Sequence, residues 1–149
     1  MISDEYKKMV LALPDEFFED WQWKEGDSFL YRPSKDDDWE LYYVGSFGTM
    51  VKDGIIVFAT LIEDATPSQG EYRPVPNQEQ LQAMIINNFK VSGLLIEENR
   101  YNIYLEWRFE AWLRDQIFEE KAGLSLGCLW LEFLEYAIYG KKWNNEEWI

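Results

Sequence analysis

Ser125-Leu-Gly-Cys-Leu-Trp-Leu-Glu-Phe-Leu-Glu-Tyr-Ala-Ile-Tyr-Gly140 is the most strongly patterned stretch of this 149-residue chain. Leu126, Leu129, Trp130, Phe133, Ala137 and Ile138 recur at the spacing of one helix face, and the Ser125 hydroxyl suits the backbone N–H groups that a helix leaves unpaired at its start. Gly140 can take the left-handed conformation that stops a helix, and Lys141 and Lys142 place positive charge at its negative end. Leu131 and Leu134 add a second apolar strip. The spacing therefore predicts a core helix buried on most of its circumference, with Glu132, Glu135, Tyr136 and Tyr139 facing outward.

Beyond Gly140 comes Trp143-Asn-Asn-Glu-Glu-Trp148. Asn144 and Asn145 tolerate positive φ, so a tight turn can fold both indoles back onto the protein. Such a pair can clamp a ligand or lock the preceding helix. The lock is the expectation, because large aromatics contribute to cores more often than to ligand sites.

These C-terminal residues resemble an uncharacterised family of small phage and prophage proteins of Gram-positive bacteria. The matching positions are Ser125, Leu129 to Glu132, Phe133, Tyr139 to Lys141, Trp143, Asn144, Glu146 and Trp148. Pro74-Val-Pro-Asn-Gln-Glu-Gln-Leu-Gln82 is a second, weaker match, and the acidic, Trp-bearing opening up to Trp39 a third. The chain departs from the pattern at Gly127-Cys128, at Asn145 and at Tyr72-Arg73. The resemblance implies a phage or prophage origin and a place in the cytoplasm of a bacterial host. It implies no mechanism.

Length and composition fit one domain over residues 1–149, since 47% hydrophobic content can fill a single core. The N-terminus lacks a charged-then-apolar leader and no apolar run reaches membrane-spanning length, so a soluble protein with no membrane partner is expected. Cys128 is the only cysteine, which excludes an internal disulfide. There is no histidine, so Ser-His and Cys-His nucleophiles and imidazole zinc sites are excluded as well.

Charge is the loudest feature, with 28 acidic against 14 basic residues and a net charge of −14. Direct nucleic-acid binding needs cations facing phosphates, so a positively charged partner is favoured over DNA or RNA. Residues 1–40 carry twelve acids and five bases, the densest negative charge in the chain.

From the N-terminus, Ser3 caps a short amphipathic helix running to Leu13, which Pro14 ends. Phe17, Phe18 and Trp21 are expected inside, with Glu16, Glu19 and Asp20 outside. Phe29 to Tyr31 and Trp39 to Val44 read as strands joined by a turn through Pro33-Ser-Lys-Asp-Asp-Asp38. Thr49 to Val51 and Ile55 to Ile62 read as a hairpin turning at Lys52-Asp-Gly54. Residues 63–76, with three prolines, read as a loop. Asn77 and Gln80 form a capping box for a helix through about Phe89, broken near Gly93. Residues 101–110 fit both a strand and a helix stripe; the helix formers continuing to Lys121 favour a helix from about residue 100. The expected fold is α+β, a small antiparallel sheet from the N-terminal half packed against C-terminal helices.

Candidate chemistry is sparse. Asp36-Asp37-Asp38 offers oxygens for a hard cation but lacks the alternating ligands of a calcium loop, and a solvated turn is the expectation. Glu16-x-x-Glu19-Asp20 and Glu132-x-x-Glu135 each place two carboxylates on one helical face, where surface charge explains them. No phosphate-cradling glycine loop or Ser-x-x-Lys is present. No cofactor, metal or catalytic residue is therefore assigned, and a non-enzymatic role is expected.

The function these features favour is docking on a host protein with a basic nucleic-acid-binding surface, through Glu16, Glu19, Asp20, Asp36, Asp37, Asp38 and an aromatic anchor at Trp39. An anti-defence inhibitor working by nucleic-acid mimicry is the sharpest form of that reading. The alternatives are a carboxylate-metal hydrolase of nucleotides or phosphoesters and a non-catalytic phage assembly accessory.

Overall fold

The computed structural model describes residues 2–58, 62, 70–116, 121 and 124–149, with the backbone alone at position 58. An antiparallel sheet comes from the N-terminal half and the longer helices from the C-terminal half, giving an α+β fold. The chain forms two compact units, one of Ser3–Ala12 with Asn77–Ile149 and one of Leu13–Pro76.

The sheet unit holds β1 (Ser28–Arg32), β2 (Glu40–Val44), β3 (Met50–Lys52), β4 (Ile55–Phe58) and β5 (Glu71–Val75), in spatial order β4-β3-β2-β1-β5. Alternation puts Phe29 and Tyr31 of β1 on one face, opposite Tyr42 of β2 and Tyr72 of β5. With Val44, Met50, Ile62 and Trp23 these form an aromatic core in which Phe29 is completely buried. The Phe29 and Tyr42 rings stack 5.8 Å apart, and Tyr31 meets Tyr42 edge-on at 5.4 Å. Asp53 and Gly54 both have positive φ at the tip of the β3–β4 hairpin, the backbone that matches strand twist. The part of the expected hairpin strand at residues 59–61 lies outside the described residues.

Residues 71–75 of the expected 63–76 loop are in fact β5, paired along its length with β1. Pro74 masked the strand, because proline cannot donate to a ladder. β5 lies at the sheet edge, where one side of the strand needs no donor. Residues 63–69 of that loop lie outside the described residues.

The helical unit contains α1 (Asp4–Leu11), α2 (Gln78–Val91), α3 (Tyr101–Arg114) and α4 (Leu126–Leu134), followed by a π-helical turn at Glu135–Tyr139. The caps are as the sequence indicates. Ser3 accepts from the Tyr6 N–H, Asn77 and Gln80 close a capping box, Ser125 accepts from the Cys128 N–H, and Gly140 ends the turn at φ 66°. The 101–110 segment is helix, which buries Tyr101, Leu105 and Phe109. Around α4 the Phe109 and Trp130 rings stack at 3.9 Å, and Phe133, fully buried, lies edge-on to Phe109 at 5.5 Å.

Two expectations for α4 need correction. Leu126, placed in the buried stripe, is exposed, being the first helical residue. Glu132 and Glu135, expected to face outward, are only 4% and 2% exposed. A helix covered on most sides has no wholly solvated face, so its polar residues are buried with it. Tyr136 and Tyr139 do face outward.

The C-terminal tryptophans fold back as a lock within the helical unit. Asn145 has φ 79°, Trp143 and Trp148 bridge with ring centroids 5.0 Å apart, and the Trp148 indole donates to the Met9 carbonyl at 3.2 Å.

Candidate functional site

The six carboxylates expected at a partner interface, Glu16, Glu19, Asp20, Asp36, Asp37 and Asp38, all belong to the sheet unit. Its 64 residues, Leu13–Pro76, hold fourteen acids and five bases, a net charge of −9, while the remainder of the chain carries −5. The negative charge is therefore concentrated in the sheet unit rather than only in the first forty residues.

Two short segments present the carboxylates. The first is a 3₁₀ turn at Asp15–Phe18 and the residues just after it, where Glu16, Glu19 and Asp20 are exposed while Phe17 points inward. A 3₁₀ turn forms here because Pro14 prevents α1 from continuing and the paired phenylalanines need burial. The second is the β1–β2 connection with Asp36, Asp37 and Asp38, all exposed. Ser34 organises that turn: its hydroxyl donates to Asp37 at 2.8 Å and accepts from the Asp36 N–H at 3.3 Å.

Two arginines tie these segments to neighbouring strands. Arg73 on β5 reaches Asp15 at 3.1 Å, and its guanidinium lies 5.1 Å from the Phe18 ring centroid. Arg32, at the end of β1, donates to Glu71 on β5 through Nε at 2.9 Å and Nη2 at 2.7 Å. It also covers the Trp39 ring at 4.4 Å and contacts the Lys35 carbonyl. In the β1–β5 register Arg32 faces Glu71 and Leu30 faces Arg73, so the two anchor points are two residues apart, about 7 Å along the ladder. Arg73 thus ties the 15–20 segment to β5, and Arg32 holds both flanks of the 36–38 turn, at Lys35 and Trp39, beside the β1–β5 pair.

Trp39 is partly buried under the Arg32 guanidinium, so it is not the protruding anchor that sequence suggested. Sequence alone gives neither arginine a role. Their scarcity was the available signal, since a unit with five cations has few to place without purpose.

Glu132 on α4 and Glu135 at the start of the π-helical turn have a different character. Glu132 accepts from the Lys121 ammonium at 2.6 Å, and both side chains are largely buried. Burial pushes the Glu135 carboxyl up from the ordinary 4.5 to about 7, against the opposing pull of Lys141. Among the described residues, no three His, Cys, Asp or Glu side chains converge as metal ligands. No helix among them is long and apolar enough to cross a membrane. No family model, curated protein or solved structure matches this chain.

Proposed function

We propose that this protein is an acidic accessory of phage or prophage origin that docks on the basic, nucleic-acid-binding surface of a host protein. The contact is the acidic edge of the sheet unit: Glu16, Glu19, Asp20, Asp36, Asp37 and Asp38, with Trp39 beside them. The observation that carries this reading is that all six carboxylates are exposed and, among the described residues, none of them is in an ion pair. Three of the unit's five cations, Arg32, Lys52 and Arg73, are meanwhile held by other carboxylates and by aromatic rings. A surface so arranged attracts a cationic partner over several ångströms and repels nucleic acid.

Inhibition of a nucleic-acid-cutting defence enzyme is the sharpest form of this function, because such enzymes carry cationic channels sized for a phosphate backbone. The test uses the immobilised protein and a host lysate. A basic protein should be retained, released by salt, and displaced by added double-stranded DNA. The variant E16Q/E19Q/D20N/D36N/D37N/D38N should retain none of it while melting at the wild-type temperature. Equal retention by wild type and variant would remove the acidic edge from consideration.

A further inference from the structure

Cations are scarce in this chain, yet three of the fourteen line one cavity of about 390 Å³ in the helical unit. Lys121 is held on one wall by Glu132 at 2.6 Å. Lys141 and Lys142, which follow Gly140, also line it, and among the described residues neither is in an ion pair. Among the described residues, two lining acids, Glu132 and Asp115, stand against these three. Glu132 is engaged with Lys121, so the described lining carries a positive excess in a protein of net charge −14.

The remaining described lining is the aromatic side chains Trp112, Tyr136 and Trp143 with the Gln116 amide. Trp112 and Tyr136 line the cavity with ring centroids 6.5 Å apart and planes tilted by 35°. A ring sandwiched between them would need about 7 Å and parallel faces, so a ligand ring stacks on one partner only. Tyr136 offers that face, being 45% exposed where Trp112 is 9%. The volume falls in the range of small-molecule pockets, roughly 300–1,000 Å³.

We propose that this cavity binds a small organic anion carrying one planar ring, of the size of a nucleoside monophosphate. Its acid group lies between Lys141 and Lys142, and its ring lies against Tyr136. Lys121, fixed by Glu132, presents a third positive charge whose geometry is set before the ligand arrives. Asp115 at the rim accepts from a hydroxyl or amino group on the ligand. This site uses none of the residues of the acidic edge, so it stands or falls independently of the docking function.

The test is calorimetric titration of the full chain with adenosine 5′-monophosphate, 4-hydroxybenzoate, adenosine and inorganic phosphate. Saturable binding of one or both ring-bearing anions is expected, at least about tenfold tighter than adenosine or phosphate alone. Whether the first or the second binds tells a phosphate ligand from a carboxylate ligand. K141A/K142A should weaken that binding by about tenfold or more without lowering the melting temperature, since Lys142 is exposed and Lys141 only partly buried. Tyr136→Ala should weaken the ring-bearing anions and leave phosphate unchanged. Absence of saturation by both ring-bearing anions, or wild-type affinity in K141A/K142A, would overturn the assignment.

Discussion

The indole N–H of Trp143 donates to the carboxylate of Glu5 at 2.7 Å, joining residues 138 positions apart. Hydrogen bonds to charged groups contribute about 1.5–3 kcal/mol, more than neutral ones. Trp143→Phe keeps an aromatic ring and deletes the donor. Urea unfolding should show a loss of about that size, smaller when Glu5 is already glutamine. Additive effects of the two substitutions would mean that the bond does not stabilise the protein in solution.

Glu135 makes stability depend on pH. Its folded-state carboxyl titrates near 7, against 4.5 ordinarily, so between those values the folded protein holds a proton that the unfolded chain has lost. The stabilising contribution is complete below about pH 4.5 and is lost as pH rises through about 7. The integrated loss is on the order of 3 kcal/mol. Unfolding of wild type and Glu135→Gln at pH 5 and pH 8 measures it. The glutamine variant should lack this part of the pH dependence and be the more stable of the two at pH 8.

Legibility from sequence followed how local the physics is. Ser3, Asn77 and Ser125 announce their helices because a cap involves only the next three residues. Asp53-Gly54 announces its hairpin for the same reason. β5 stayed hidden because a strand containing Pro74 is acceptable only at an edge, and edge position is a property of the whole sheet. The burial of Glu132 depends on Lys121, eleven residues away, and no helical period reports such a partner. The acidic residues of the candidate interface were visible as composition. The contacts of Arg73 and Arg32 that tie down the neighbouring chain depend on strand pairing that composition does not encode.

Gly70 and Gly140 both have positive φ but differ in surroundings. A Cβ on Gly70 would lie 2.5 Å from Tyr31 Cε2 and 2.7 Å from the Arg32 carbonyl oxygen, whereas one on Gly140 would meet nothing within 4 Å. Gly140→Ala should cost about 1 kcal/mol from backbone strain alone. Gly70→Ala should cost well above about 3 kcal/mol, because β1 must shift to admit it. Thermal melts of the two variants rank them, and an equal cost would contradict the close approach at Gly70.

Cys128 is completely buried. Its thiol should react with a disulfide reagent only when the helical unit opens, and the labelling rate should fall in step with measured stability across the variants above. Rapid labelling of the native protein would show that α4 exchanges with solvent far more readily than its packing implies.

The helical unit is assembled from residues 3–12 and 77–149, with the whole sheet unit intervening. On a ribosome the first helix therefore emerges long before the residues that cover it, and the indole contacts at Glu5 and Met9 come from residues that emerge 138 and 139 positions later. The sheet can complete its pairing while α1 waits. A nascent chain halted before residue 143 would carry a finished sheet and an unclosed helical unit, an exposed apolar surface of the kind that quality-control proteases recognise.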